Sequence, residues 1–327
     1  MSSQTLKSES NDNVQIKDKF IERYKELCIL CNEDYEEFIK TSLSFLKRSI
    51  RVNTLKISVD ILKKKLSKDW HLEPIPWCKE AFWIDHKGEG DEKRRDVGNL
   101  IEHSLGYIYI QEAVSMIPPL ALNPKPGEFI LDMCAAPGSK TTQMASMMKN
   151  QGILIANDYQ IERLKPLSIN MQRCGVTNSI MTLMHGHQFK RAGLKFDKIL
   201  VDAPCSGTGT VRKSFKTLKI WNPNMIKRLA GTQKQLIQTA FDCLKEDGHM
   251  VYSTCSLEPE ENEAVVSWLL EHNSNAKTEK FNINLNKSNP ITEFGGIKHH
   301  EGVKNCLRIW PQNNNTDGFF VCRIKKE

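Results

Sequence analysis

Apolar positions in residues 18–48 recur at three- and four-residue intervals, as at Phe20, Tyr24, Leu27 and Cys28, and this spacing predicts helices. From 49 to 112 the pattern is mixed. Residues 51–56 read as a strand, 59–68 as a helix with Ser58 at its N-cap, and 107–110 as a strand followed by a helix through Leu122. Trp77, Phe82 and Trp83 supply apolar bulk for a small core, and the charged, glycine-containing stretch 87–96 reads as a loop. The breaker Asn123-Pro124-Lys125-Pro126-Gly127 ends this region. Beyond it the pattern is regular. Strands are expected at 129–133, 153–156, 180–184, 199–201 and 250–252, alternating with helices at 141–148, 161–173, 225–243 and 260–270. Strands that alternate with helices predict an open, mostly parallel α/β sheet. Two last apolar runs, 306–310 and 318–324, predict a closing antiparallel hairpin.

This pattern divides the chain into a polar segment 1–16, expected as a disordered tail, a small α+β unit over 17–112, and a larger α/β unit over 113–327. The 327 residues suffice for two cores, and 39% hydrophobic with 26% charged residues is the composition of a soluble globular protein. No stretch approaches the roughly 18 consecutive apolar residues of a membrane span. The first residues lack the apolar segment of a secretory leader, so no membrane partner is expected. Ten cysteines at irregular spacings point to free thiols in a reducing compartment, hence a cytoplasmic protein. Cys28 and Cys31 have no second pair at metal-binding spacing, so they read as one face of a helix and no metal is expected.

The net charge of +7 is unevenly spread. Residues 17–112 hold 18 basic and 18 acidic side chains, whereas 113–327 hold 27 against 19. A local run, Lys47, Arg48, Arg51, Lys56, Lys63, Lys64 and Lys65, is opposed only by Asp60. Such a distribution suits a polyanion.

In open α/β sheets ligands bind beyond the carboxyl ends of the strands, and the chemistry-bearing residues fall there. The first strand is followed by Cys134-Ala135-Ala136-Pro137-Gly138-Ser139-Lys140, a small-residue turn opening a helix, without dinucleotide or Walker spacing. After the second strand come Asn157 and Asp158, an acid placed to receive a ribose diol. After the fourth comes Asp202-Ala203-Pro204-Cys205, and after the fifth Ser253-Thr254-Cys255. Two cysteines so placed are poorly explained as inert filler.

These segments, 131–141, 199–209 and 252–263, resemble the signatures of the RsmB/NOP (Sun) family of RNA cytosine-C5 methyltransferases. Residues 51–56, 106–118, 308–311 and 317–320 also resemble family segments, so the likeness runs from about residue 45 to the end. It implies a class I (Rossmann-like) methyltransferase fold preceded by a small RNA-binding domain, S-adenosyl-L-methionine as cofactor, and RNA as partner. Without a stretch left for a PUA domain or a long NusB-like domain, tRNA is the expected substrate and the enzyme is expected as a monomer. The alternatives are an rRNA cytosine-C5 methyltransferase and a non-catalytic ribosome-assembly factor. A DNA cytosine methyltransferase would place its nucleophile in the Pro-Cys segment and need no Thr-Cys.

The resemblance also implies roles. Cytosine C5 is too weak a nucleophile until a thiolate adds to C6. Cys255 is implied as that nucleophile, Asp202 as the contact to the base edge near N3 and N4, Cys205 as the group for release, and Lys140 as a stabiliser of the anionic intermediate. Residues 134–140 would cradle the cofactor, with Asp158 on the ribose and Arg163 supporting that acid. Relatives carry an acid for the adenine amino group where this chain has His185, and Ser139 replaces the family's second glycine. Lys190, Arg191, Lys195, Arg212, Lys213, Lys216 and Lys219 are expected to hold phosphates.

Overall fold

The computed structural model describes residues 4–7, 13–89 and 96–327. Of the loop expected over 87–96, residues 90–95 lie outside the described residues. The segment expected as a disordered tail instead carries β1 (Gln4–Lys7) and β2 (Asn13–Ile16), paired antiparallel with Gln4 opposite Ile16. Its polar composition suggested disorder, but the alternation Val14-Gln15-Ile16 has the period of a strand, and Ile16 is fully buried. Residues 1–3 and 8–12 lie outside the described residues.

Two compact units make up the chain. One comprises residues 1–46, 203–238 and 252–327; the other comprises 47–202 and 239–251. In the first, α1 (Asp18–Cys31) and α2 (Tyr35–Leu43) follow β2, with the Asp34 carboxylate accepting the Glu37 amide at 2.7 Å as an N-cap. Their apolar faces join an aromatic cluster. Phe20 stacks on Tyr24 at 4.0 Å, Tyr24 on Phe38 at 5.2 Å, and Trp310 meets Phe38 edge-on at 5.0 Å. Cys28 and Cys31 are buried in the same cluster. Burying each such aromatic side chain contributes roughly 1.5–3 kcal/mol. That packing makes α1 and α2 part of this unit.

The second unit contains a four-stranded sheet in the order β4-β5-β3-β6, from β3 (Ser49–Val52), β4 (Trp70–Ile75), β5 (Cys78–His86) and β6 (Ile108–Ile110). Each of its pairings is antiparallel. Helix α3 (Val59–Leu66) is capped by Ser58 as expected, its hydroxyl accepting the Ile61 amide at 3.3 Å. Leu62 and Leu66 reach a core with Ile50, Val52, Trp70, Phe82 and Ile84. The short helices α4 (Ile101–Ser104) and α5 (Ile117–Leu122) lead to the regular region.

There β7 (Phe129–Asp132), β8 (Ile153–Asp158), β9 (Ser179–Leu183) and β10 (Phe196–Asp202) run parallel, with α6 (Ser139–Met147) and α7 (Ile161–Cys174) as crossovers. Then come α8 (Lys216–Ile220), α9 (Pro223–Asp242), β11 (Leu244–Thr254), α10 (Glu263–His272), β12 (Ala276–Glu279) and the short strands β13 (Glu293–Phe294) and β14 (Ile297–Lys298). Last are β15 (Leu307–Ile309), α11 (Pro311–Asn314) and β16 (Phe319–Lys326). The sheet has eight strands in the order β12-β16-β11-β10-β7-β8-β9, with β15 pairing β16 antiparallel as the expected closing hairpin. Asp132 stands level with Ala156 on one side and Leu200 on the other, so the carboxyl ends of three strands form one edge.

Within the first unit, Arg308 is fully buried against Glu263, with Nη2 to the carboxylate at 2.5 Å, Nε at 2.9 Å and Nη1 to the Leu257 carbonyl at 2.7 Å. Removing one partner strands the other charge. Arg308→Ala is therefore expected to cost roughly 3–5 kcal/mol in urea unfolding, and a loss under about 1 kcal/mol would contradict this placement.

Candidate active site

On the unit formed by residues 47–202 and 239–251, the loop after β7 turns on Gly138, whose φ of 104° is left-handed backbone that a side chain would strain. The Ala136–Pro137 peptide bond is cis. The loop is tied at several points. Ala135 N–H donates to the Asn157 carbonyl at 2.7 Å, Arg163 donates to the Ala136 carbonyl at 2.6 Å, and Asn170 to the Pro137 carbonyl at 2.9 Å. Ala135 and Ala136 are buried, Cys134 and Ser139 half-buried, and Pro137 exposed. Burial, with Asp132, Asp202 and Asp158 nearby, pushes the Cys134 thiol up.

Asp158 is buried at the end of β8. One carboxylate oxygen accepts the Gln160 amide at 3.0 Å; the other has no hydrogen-bond partner and lies 3.3 Å from Arg163 Nη1. Asp132 is the same in kind: Thr141 donates to Oδ2 at 2.7 Å, and buried Oδ1 has no partner. Burial pushes the Asp132 carboxyl up to about 7, against the Thr141 bond and with the help of the Asp202 charge. Two buried acceptors lacking donors fit a ligand rich in hydroxyl and ammonium groups. His185 is exposed at the end of β9, where its ring stacks on Tyr159 at 5.6 Å and on His187 at 5.4 Å. It presents an imidazole face at the strand end. Lys140, buried in the first turn of α6, donates to Asp202 at 2.7 Å and to the Ser115 hydroxyl at 3.0 Å.

On the other unit, the loops after β10 and β11 bring Cys205 Sγ and Cys255 Sγ to 3.3 Å. A disulfide would need about 2.05 Å, so the pair is reduced and shares a hydrogen bond. That bond, and then burial, hold the Cys205 thiol well above its usual range. Both loops are pinned. Gly209 N–H donates to the Cys255 carbonyl at 2.9 Å and Gly318 N–H to the Gly209 carbonyl at 2.8 Å, and a Cβ on Gly209 would stand 2.3 Å from the Gly318 oxygen.

The segment after Cys255 holds residues that sequence reasoning passed over. Glu258, Glu261, Asn262 and Glu263 are all fully buried. Glu258 accepts bonds from Tyr24 at 3.0 Å, Trp221 at 2.8 Å and Arg23 at 2.7 Å. Asn262 accepts from Thr254 at 2.6 Å and donates to the Ser256 carbonyl at 2.8 Å. The one available signal was the density of acids beside an apolar helix, which reads equally as a solvated loop.

Several cations expected to hold phosphates have structural work instead. Arg212 is buried and donates to the Ser44 hydroxyl and to the Phe45 and Thr316 carbonyls; Lys213 pairs with Asp317. Lys190 pairs with Asp242, whose carbonyl also receives Lys195. In the basic run, Arg51 is buried on Gln111, Thr142 and the Ser139 carbonyl, and Lys47 pairs with Glu73. Their partners are distant in sequence, so a local charge count left them looking free. Among the described residues no group of three or more His, Cys, Asp or Glu gathers as a metal site, and no helix is long and apolar enough to cross a membrane.

Comparison with known proteins gives these features a context. A family profile described as 16S rRNA methyltransferase RsmB/F matches residues 119–325, and one described as the N-terminal domain of 16S rRNA methyltransferase RsmF matches residues 16–113. The chain is 45% identical over 315 residues to the tRNA (cytosine(49)-C(5))-methyltransferase of Pyrococcus abyssi, covering 95% of this chain and 97% of that one. It is 43% identical over 320 residues to ribosomal RNA small subunit methyltransferase F of Vibrio parahaemolyticus, covering 96% of this chain but 64% of that relative. Among solved structures, a methyltransferase homolog from Pyrococcus horikoshii superposes with a TM-score of 0.80 at 34% identity, over 95% of this chain and 100% of that one. NSun6 from the same organism, solved with SFG, gives 0.82 at 25% identity, over 95% and 98%. On this agreement of profile, sequence and fold, the chain belongs to the RsmB/F family of S-adenosylmethionine-dependent RNA methyltransferases.

Proposed function

We propose that this enzyme methylates C5 of cytosine in tRNA, with Cys255 as the covalent nucleophile. The observation that carries the reading is the 3.3 Å contact of two reduced sulfurs at the carboxyl ends of β10 and β11. Attack by the Cys255 thiolate on C6 makes C5 an enamine carbon able to accept a methyl group. Asp202, steadied by Lys140, hydrogen-bonds the base edge near N3 and N4. After methylation, Cys205 serves the release step as base or through a bound water: the C5 proton passes to that base as the Cys255–C6 bond breaks and the Cys255 thiolate is restored. The base is reached outside any stack, by flipping or in an unpaired region.

S-adenosylmethionine, when bound, supplies the methyl group. The loop 134–140 would cradle it, Asp158 would receive the ribose hydroxyls and Arg163 would hold that acid in place, while the bare oxygen of Asp132 offers a further acceptor. The exposed ring of His185, stacked with Tyr159, offers a flat surface for the adenine in place of an acid. The tRNA reading rests on the likeness to the Pyrococcus abyssi enzyme, 45% identical over 315 residues, whose name is that of a tRNA cytosine-C5 methyltransferase. The rRNA reading stands as the alternative, since the family profile is described by rRNA enzymes. Ten free cysteines suit a cytoplasmic enzyme.

Bisulfite sequencing of tRNA and rRNA from a deletion strain is the direct test. Loss of protection at a tRNA cytosine is expected, and loss confined to rRNA would transfer the substrate to the alternative. With a tRNA transcript, Cys255→Ala is expected to abolish methylation, whereas Cys205→Ala is expected to accumulate a protein–RNA band that survives denaturing electrophoresis. Retained turnover in the first variant, or no stable band in the second, would contradict the division between the thiols.

The Asp132 carboxyl adds a pH test. Its folded value of about 7 lies above the unfolded value, so its contribution to stability is present at low pH and is lost as pH rises through 7. The melting temperature of the cofactor-free protein relative to Asp132→Asn is expected to fall between pH 5 and pH 8. A flat or rising difference would mean that burial does not control this acid.

A further inference from the structure

We propose that Glu261 is the positioning residue that fixes the separation of the two reactive sulfurs, an inference that rests on the assignment of Cys255 and Cys205 made above. Its side chain is fully buried and hydrogen-bonds to the neighbours of the two sulfurs. One carboxylate oxygen accepts the Ser206 backbone N–H at 2.9 Å and the Gln233 amide at 3.0 Å. The other accepts the Ser206 hydroxyl and, at 2.5 Å, the Ser256 hydroxyl. Ser206 follows Cys205 and Ser256 follows Cys255, so one carboxylate holds the residue after each sulfur. Gln233 extends the brace by donating to the Pro204 carbonyl at 2.9 Å, on the other side of Cys205. The two serine hydroxyls lie 3.0 Å apart, and Tyr252 fixes the Glu261 backbone by donating to its carbonyl at 2.6 Å.

Chemistry restricts who can do this. Four donors converge on two oxygens, and only an ionised carboxylate is acceptor on both. Burial pushes the Glu261 carboxyl up, and the bonds from Ser206, Ser256 and Gln233 oppose that shift. A buried charge stabilises a core less than an apolar residue of equal volume would, so packing alone does not account for it. Positioning does. A displacement of about 1 Å between reacting groups is enough to cost on the order of 10²-fold in rate.

Glu261→Gln keeps the shape but turns one oxygen into a donor facing donors. In the full chain acting on a tRNA transcript with labelled S-adenosylmethionine, kcat is expected to fall about 10²-fold with KM for RNA unchanged. The pH profile of iodoacetamide alkylation of Cys255 is expected to shift, because its hydrogen bond with Cys205 is disturbed. Binding of S-adenosylhomocysteine by calorimetry is expected to stay the same. A lower melting temperature with wild-type kcat and alkylation profile would reduce Glu261 to a folding role and overturn the proposal. If Glu261→Gln does not fold, the double variant Ser206→Ala, Ser256→Ala keeps the carboxylate and removes two of its donors. It is expected to show the same loss of kcat and shifted profile, and wild-type behaviour there overturns the proposal equally. Cys255→Ala run alongside separates the two ideas. Turnover in that variant sinks the nucleophile assignment, whereas an inactive Cys255→Ala beside a fully active Glu261→Gln sinks the positioning role alone.

Discussion

Two thiols must be kept at hydrogen-bond distance without joining and without drifting apart, and much of the first unit can be understood from that requirement. At 3.3 Å the sulfurs are in hydrogen-bond contact, and that bond, with burial, raises the Cys205 thiol. The loops that carry them follow different strands and have no covalent reason to stay in register. Backbone bonds through Gly209 and Gly318, the carboxylate of Glu261 and the amide of Asn262 supply that register from four directions. Behind them, Glu258 ties the segment to Tyr24, Arg23 and Trp221, so the aromatic cluster that stabilises α1 and α2 also stiffens the chain next to Cys255.

The second unit meets a different requirement, which is to leave acceptors bare. Asp132 and Asp158 each keep a buried oxygen without a hydrogen-bond donor at the ends of adjacent parallel strands. Left unsatisfied, such groups cost stability. In Asp132 that cost shows as a carboxyl pushed up to about 7. Folding therefore tolerates local destabilisation where a ligand would bring donors, a common arrangement at functional sites.

Much of this was legible in the sequence. The period of the apolar positions located the parallel strands, and the rule that ligands lie beyond strand ends singled out residues 134–140, Asp158, Asp202, Cys205 and Cys255 before any coordinates. What was not legible shares one physical cause. Glu261 reads as one acid among several in Glu258-Pro259-Glu260-Glu261-Asn262-Glu263, and nothing local says that its donors come from residues 206, 233 and 256. Arg51, Arg212 and Lys213 look like members of a phosphate-binding surface until partners up to 168 residues away claim them. Residues 4–7 and 13–16 were passed over because composition outweighed a short alternation. Periodicity reports which face is buried, but long-range pairing of charge appears only once the chain is folded.

The central claim is that Cys255, and not its neighbour in space, bonds to the base. RNA carrying 5-fluorocytosine tests it most directly, because fluorine at C5 blocks the proton loss that frees the enzyme. Digestion of the trapped complex and mass spectrometry should find the nucleotide on the peptide containing Cys255. A nucleotide on the peptide containing Cys205 would contradict the account.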